Sequence, residues 1–291
     1  MFKFDYLRPA SVKEACELLA LYGESARVIA GGTDLMVQLR DEDKKWAGIR
    51  YVVDLSYIDG LKYIKEDGDL IRIGALATHS QIVKSDLLQR EVPFFCEACS
   101  TVGSPQIRNR GTIGGSIGNA SPASDPVPPL IALDAQVRIS GKDGEREEDL
   151  KSVFSGSYKT SLKPDEIITE ISFKKLPVNS QTAFLKLGRR KALAISRMNV
   201  GVVLVRDDKG VVTDVRIAPG CIFATPDRVA GAEEVLRGKV PDEELLIEAG
   251  LKVSEEMIAR TGIRWSTEYK KPVVESLTKR ALKEALEVNN G

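Results

Sequence analysis

Apolar and polar positions divide the chain into a mixed α/β N-terminal part, a long uncharged middle, and a C-terminal run of strands followed by helices. Phe4-Asp5-Tyr6 reads as a short strand, and Ser11-Val12-Lys13-Glu14 has capping-box spacing, opening a helix through about Leu21. Arg27-Val28-Ile29-Ala30 is an apolar strand running directly into Gly31-Gly32. Leu35, Met36 and Leu39 then fall at helical spacing, predicting a helix from near Asp34. Strand Tyr51-Val52-Val53-Asp54 closes this first small α/β unit.

A hairpin is predicted from Leu61–Lys65 and Leu70–Ile73 around the turn Asp67-Gly68-Asp69. A helix opens at Thr78-His79-Ser80-Gln81 and runs to about Gln89, and another spans Phe94 to Thr101. From Gly103 to Pro129 the pattern reads as one long irregular stretch, rich in glycine, serine, asparagine and proline but without a charge run. Long uncharged loops inside compact domains are usually functional. Gln136–Ser140 and Ile167–Phe173 read as strands, and Pro177-Val178-Asn179-Ser180 as a linker. Beyond it lie strands near Ala183–Leu187, Asn199–Arg206 and Val211–Ile217, then helices near Arg228–Leu236, Asp242–Arg260 and Thr267–Val288. The expected domains are 1–176, in subdomains of about 1–55 and 56–176, and a separate α+β domain at 177–291.

Charge narrows the function. Lysine plus arginine and aspartate plus glutamate are 42 each in 291 residues, so no net field attracts nucleic acid or an anionic membrane. Lys186-Leu187-Gly188-Arg189-Arg190-Lys191 is a local exception, read as an exposed basic loop able to dock an acceptor or partner. No apolar stretch approaches the ~20 residues of a membrane span, and Met1-Phe2-Lys3-Phe4-Asp5 lacks a signal-peptide apolar region. A cytoplasmic protein is expected. His79 is the single histidine, which excludes histidine clusters. Cys96-x-x-Cys99 sits in an apolar helix start and reads as buried small hydrophobes rather than as a cluster or redox pair.

Two loops carry the candidate chemistry: Ala30-Gly31-Gly32-Thr33-Asp34 and Thr112-Ile113-Gly114-Gly115-Ser116. Paired glycines let the backbone approach a ligand closely and aim successive N–H groups at an anion. A glycine pair alone also serves ordinary turns, but two such loops suit an extended ligand with a central diphosphate, and FAD is the ligand expected. Neither loop ends in the Lys-Ser/Thr of a triphosphate loop, and neither shows Gly-x-Gly-x-x-Gly, which argues against a Rossmann site. Asp125 has two open readings: a cap for the helix near Pro128, or an acceptor for ribityl or ribose hydroxyls. Lys186 is either a solvated strand lysine or a charge beside a flavin that favours its anionic reduced form.

The whole chain resembles the flavin-binding medium subunits of the molybdenum hydroxylases, such as carbon monoxide, nicotinate and quinoline dehydrogenases and the FAD domain of xanthine dehydrogenase. The matching motifs are Val28-Ile29-Ala30-Gly31-Gly32-Thr33-Asp34-Leu35, the run from Arg110 to Asp125, Tyr158-Lys159-Thr160 with Pro164–Ile168, and Lys186-Leu187-Gly188-Arg189-Arg190. The resemblance implies an α+β chain: a two-subdomain FAD-binding domain of the vanillyl-alcohol-oxidase (PCMH) type, then a C-terminal α+β domain. It implies that Val28, Ile29, Ala30, Gly31, Gly32, Thr33, Asp34 and Leu35 wrap the adenosine diphosphate through main-chain N–H groups. Gly111, Thr112, Gly115, Asn119, Ser124 and Asp125 would complete the diphosphate and ribityl cradle. Val102, Ile168 and Lys186 match positions near the flavin, and Leu187–Arg197 matches a mobile loop at its ring. Thr33 stands where covalent flavoproteins of the wider fold carry histidine, so non-covalent FAD is expected. Ala194-Ile195-Ser196 departs from the family's Asp-Ile-Ala, so an acceptor preference tied to that acid does not carry over.

The function so implied is electron transfer, with no side chain acting as acid or base and no metal on this chain. Substrate is oxidised at molybdopterin on a large subunit, and electrons pass through two-iron clusters on a small subunit to FAD here. They leave to NAD, ferredoxin, quinone or oxygen, in an assembly expected to be a dimer of heterotrimers. No iron–sulfur cluster is expected on this chain. The alternative is a free-standing reductase of the same fold, similar to UDP-N-acetylenolpyruvoylglucosamine reductase. A third reading is a scaffold that has lost its flavin.

Overall fold

The computed structural model describes residues 2–190 and 192–287. Strand β1 (Asp5–Leu7) leads into α1 (Val12–Tyr22), where the Ser11 hydroxyl accepts the Glu14 N–H at 3.1 Å. The Glu14 carboxylate reaches back one residue further than a capping box requires, to the Ala10 N–H at 2.7 Å. Next come β2 (Ala26–Ile29), α2 (Leu35–Arg40) and β3 (Tyr51–Asp54). Strand β3 lies between β1 and β2, parallel to both. Ala15, Cys16, Leu19 and Val53 form the buried seam of this unit.

The hairpin of β4 (Ile64–Asp67) and β5 (Leu70–Gly74) begins the second unit. The helix expected from Thr78 to about Gln89 is two helices, α3 (His79–Val83) and α4 (Asp86–Glu91), because the Ser85 hydroxyl starts a new cap by accepting the Leu88 N–H. Helix α5 (Pro93–Ser100) follows. The stretch read as irregular contains three short helices, α6 (Pro105–Arg108), α7 (Ile113–Asn119) and α8 (Val127–Ala132). Strands β6 (Gln136–Gly141), β7 (Gly144–Asp149), β8 (Phe154–Gly156), β9 (Lys159–Thr160) and β10 (Ile167–Lys174) complete this unit. The five-stranded antiparallel sheet has the order β4-β5-β10-β6-β7, and buried Glu170 at its centre binds Arg72 at 2.7 Å and Arg138 at 3.2 Å.

The C-terminal unit is an antiparallel meander of β11 (Ser180–Gly188), β12 (Ser196–Arg206) and β13 (Val212–Gly220). Helices α9 (Ala230–Leu236), α10 (Glu243–Thr261) and α11 (Thr267–Glu287) follow; Val288, at the expected end of the last helix, lies outside the described residues. Side chains alternate across the meander. Ala183, Val202, Leu204, Val215 and Ile217 pack with Leu246, Val253, Leu277 and Leu282 of the helices. Phe184, Val203 and Ala218 join the core that holds Phe95 and Leu130 of the second unit. One sheet therefore serves two cores, which fixes the C-terminal unit against the residues described next.

Candidate functional site

The first glycine loop is built as a row of open donors. Strand β2 ends at Ile29 and α2 starts at Leu35, with Gly32 in the left-handed region at φ +73°. Among the described residues, the N–H groups of Gly31, Gly32, Thr33, Asp34 and Leu35 have no acceptor. The Asp34 side chain does not cap the helix. Because α2 has only six residues, its dipole adds little, and the amides themselves make the anion-binding feature. Val28 and Ile29 are strand residues paired with Val53 and Asp54, so they shape the cradle's wall.

The second loop works differently from the expectation. Its amides are already engaged: Gly111 N–H by Ile107 O at 2.6 Å, Ile113 N–H by Ala77 O at 3.0 Å, Gly114 N–H by Ala75 O at 2.9 Å and Gly115 N–H by Thr112 Oγ1 at 3.1 Å. Of the three residues assigned there to the diphosphate, only Thr112 keeps a free N–H among the described residues. The glycines instead provide close approach and an open face. A Cβ on Gly114 would stand 2.7 Å from Ala75 Cβ, whereas a Cβ on Gly118 would meet nothing within 4 Å.

The two loops touch. A Cβ on Gly31 would lie 2.0 Å from the Arg110 carbonyl oxygen, immediately before Gly111. Thr78 and Thr112 form a β-bridge, and the His79 ring lies beneath Gly111 with Nε2 3.1 Å from Ser116 Oγ. His79 is buried and its Nδ1 has no partner among the described residues; burial, helped by the nearby Arg108 charge, lowers its pKa from 6.5 to about 4. It is a neutral spacer under the loop. At the far end of α7, after Asn119, Ala120 adopts φ +48° and its carbonyl accepts the N–H of Tyr158, itself at φ +57°.

Asp125 is neither helix cap nor free acceptor. Pro126 stands at the N-cap of α8 with no side-chain bond, while Asp125 is buried. Its Oδ2 accepts from Lys186 Nζ at 2.6 Å and Thr101 Oγ1 at 3.2 Å; its Oδ1 accepts from Asn199 Nδ2 at 2.8 Å and from Ser196 Oγ. Lys186 Nζ also donates to Thr101 O at 3.0 Å, beside Val102. Lys186 is therefore no bare cation beside a flavin, because Asp125 offsets its charge. Thr101, Asp125 and Lys186 form one cluster, with Val102 next along the chain. Ser124 donates its N–H to Ser121 O at 3.1 Å, and Ile168 is buried in the core shared with Ile113 and Ile117 of α7. Thr101, Ser196 and Asn199 were missed. Asn199, a lone amide in the apolar run Met198–Val205, was the available signal.

Arg189 and Arg190 are exposed and Lys191 lies outside the described residues. The cleft of about 610 Å³ between residues 131–151 and 227–260 is a different place, where Arg228 pairs with Asp134 and Glu233, and Arg260 with Asp227 and Glu256. Cys96 and Cys99 are buried, and no cluster of metal-ligating side chains exists among the described residues. No helix there is long and apolar enough to cross a membrane.

Residues 2–175 match the family "FAD binding domain in molybdopterin dehydrogenase", and residues 183–285 match "CO dehydrogenase flavoprotein C-terminal domain". The chain belongs to this flavoprotein family. It is 36% identical to the nicotinate dehydrogenase FAD-subunit of Eubacterium barkeri, over 100% of this chain and 99% of that one. It is 34% identical to the nicotine 6-hydroxylase medium subunit of Paenarthrobacter nicotinovorans, over 96% of each. Its fold matches a chain of the carbon monoxide dehydrogenase of Hydrogenophaga pseudoflava with TM-score 0.90, at 30% identity and 98% coverage of both. Such subunits of multi-subunit dehydrogenases favour the subunit reading over a free-standing reductase. The site fits the family's cofactor, since five unengaged amides abutting a glycine-smoothed helix suit a dinucleotide diphosphate.

Proposed function

We propose that this chain is the flavin subunit of a molybdenum hydroxylase complex, holding FAD non-covalently. The free amides of Gly31–Leu35 carry this reading, because an anion there satisfies five donors that the polypeptide leaves open. The Thr112 N–H and the open Gly115–Gly118 face of α7 line the opposite wall. Val102, Asp125 and Lys186 would stand near the flavin, and the paired charges of Asp125 and Lys186 would give it a fixed, nearly neutral polar neighbour.

Bound FAD supplies the redox chemistry, accepting electrons from iron–sulfur clusters on a small partner and releasing them to an external acceptor. The chain's residues bind, orient and exclude water; none acts as acid or base. A large molybdopterin subunit and a small iron–sulfur subunit are the expected partners, arranged as a dimer of heterotrimers.

The test is anaerobic titration of purified apo-subunit with FAD, followed by the flavin's absorbance. The expected result is one FAD per chain, released on denaturation, with no substrate hydroxylation until the partner subunits are added. Failure to bind FAD, or hydroxylation by the isolated chain, overturns the reading.

A further inference from the structure

Charge is unevenly placed in a chain with 42 acids and 42 bases. Residues 180–206 contain no acid, but Lys186, Arg189, Arg190, Lys191, Arg197 and Arg206 are all cationic. Lys186 is spent on Asp125 and Arg206 binds Gln181 at 2.9 Å, while Arg189, Arg197 and Arg190, which folds onto Leu193 O, are exposed. The turn between α10 and α11 adds Arg264, and the start of α11 adds Lys270 and Lys271 against Glu268 alone.

These two segments form one surface. The Arg197 guanidinium lies 5.5 Å from the centroid of the Tyr269 ring. Cys221 bridges them as well: its Sγ contacts Ser196 O at 3.6 Å, and its carbonyl accepts from Lys270 Nζ at 2.8 Å. The two segments also carry large apolar side chains with little cover: Trp265 is 97% exposed, Ile263 86%, Ile195 81% and Leu193 54%. Single exposed apolar residues are ordinary, but several gathered among cations mark an interaction surface. Ile195 and Arg197 flank Ser196, whose hydroxyl binds Asp125, so the surface adjoins the cluster assigned to the flavin.

Resting on the flavin-subunit reading above, we infer that this face docks an acidic one-electron carrier protein. Exposed arginine, tryptophan and tyrosine are the residue types that anchor protein partners, and a cationic rim steers an acidic partner. In the forward direction reduced FAD delivers two electrons singly to two carrier molecules and releases two protons to water.

The test runs the reaction in the opposite direction, with reduced plant-type two-iron ferredoxin bleaching the flavin of the FAD-loaded complex in a stopped-flow instrument. Reduced methyl viologen, a small cationic donor, is the control. The double variant Arg264→Glu/Lys271→Glu should slow ferredoxin about tenfold or more at low salt and flatten the salt dependence, a steering effect. Trp265→Ala should slow ferredoxin while keeping that salt dependence, and Arg264→Lys should retain the wild-type rate. Methyl viologen should bleach all variants alike.

An unchanged ferredoxin rate in the double variant overturns the inference, and so does loss of the partner subunits on purification, which would place this face inside the complex. Absence of a flavin band, or of bleaching by methyl viologen in the wild type, would instead strike the flavin-subunit reading.

Discussion

Asp125 and Lys186 meet at 2.6 Å across the boundary between the cofactor-binding part and the C-terminal sheet. Asp125 belongs to the loop before α8, and Lys186 to β11. With Ser196 and Asn199 of β12 on the other carboxylate oxygen, one residue ties both strands to the loop before α8. Removing one partner of a buried pair strands the other, so Asp125→Ala should cost about 3–5 kcal/mol in urea unfolding. Lys186→Met added to it should recover about 1 kcal/mol or more relative to the sum of the two single variants. Strict additivity would show that the pair is not coupled.

The glycines of the second loop should separate by packing rather than by sequence position. Gly114→Ala forces a methyl to 2.7 Å from Ala75 and should lose about 1–3 kcal/mol of stability. Gly118→Ala meets nothing within 4 Å and should gain up to about 1 kcal/mol from helix propensity. Thermal unfolding of both variants checks the contrast.

Gly31→Ala should act on the cofactor instead. Its methyl would stand 2.0 Å from Arg110 O, a backbone atom that cannot rotate aside, so the loops must part. FAD affinity should fall about 10- to 100-fold, the equivalent of ordinary overpacking strain. Fluorescence titration with FAD measures it, and an unchanged affinity would show that the contact does not shape the cradle.

The strand entering Gly31-Gly32 was legible because an apolar run and a glycine pair are both local signals. Of the helices between Gly103 and Ala132, only α8 was read, as a helix near Pro128; α6 and α7 were not. Gly114, Gly115 and Gly118 lower helix propensity, and α6 and α7 rest on caps from Ser104 and Thr112 and on burial of Ile113 and Ile117. Strand β7, Gly-Glu-Arg-Glu-Glu-Asp, is an edge strand with a polar sequence, so no alternation announces it. At the site, residue types pointed to Asp125 and Lys186 separately. Their pairing spans 61 positions, and only the packing of the C-terminal sheet on α5 and α8 brings it about.

The cysteines should be inert in the native protein. Burial pushes the Cys16 thiol up to about 11 and Cys96 and Cys221 up to about 12, and raises the Cys99 thiol well above its ordinary value. Only the thiolate reacts, so a thiol reagent at pH 8 should label native chain slowly and all four cysteines after denaturation. Rapid labelling of Cys96 or Cys99 in native protein would revive a redox reading of that pair.

His79 makes stability depend on pH in a defined direction. Its folded pKa of about 4 lies below the ordinary 6.5, so the unfolded chain takes up a proton first as pH falls. The stability of the neutral, buried ring is complete above about pH 6.5 and is lost progressively toward pH 4. By linkage the loss is about 3 kcal/mol over that window. In His79→Gln the side chain does not titrate, so the stability difference between variant and wild type should shrink as pH drops from 7 to 4.5. Urea unfolding at the two values measures it. A wild-type stability that falls no faster than the variant's would mean that the ring accepts its proton inside the fold, against the burial that places it beneath Gly111.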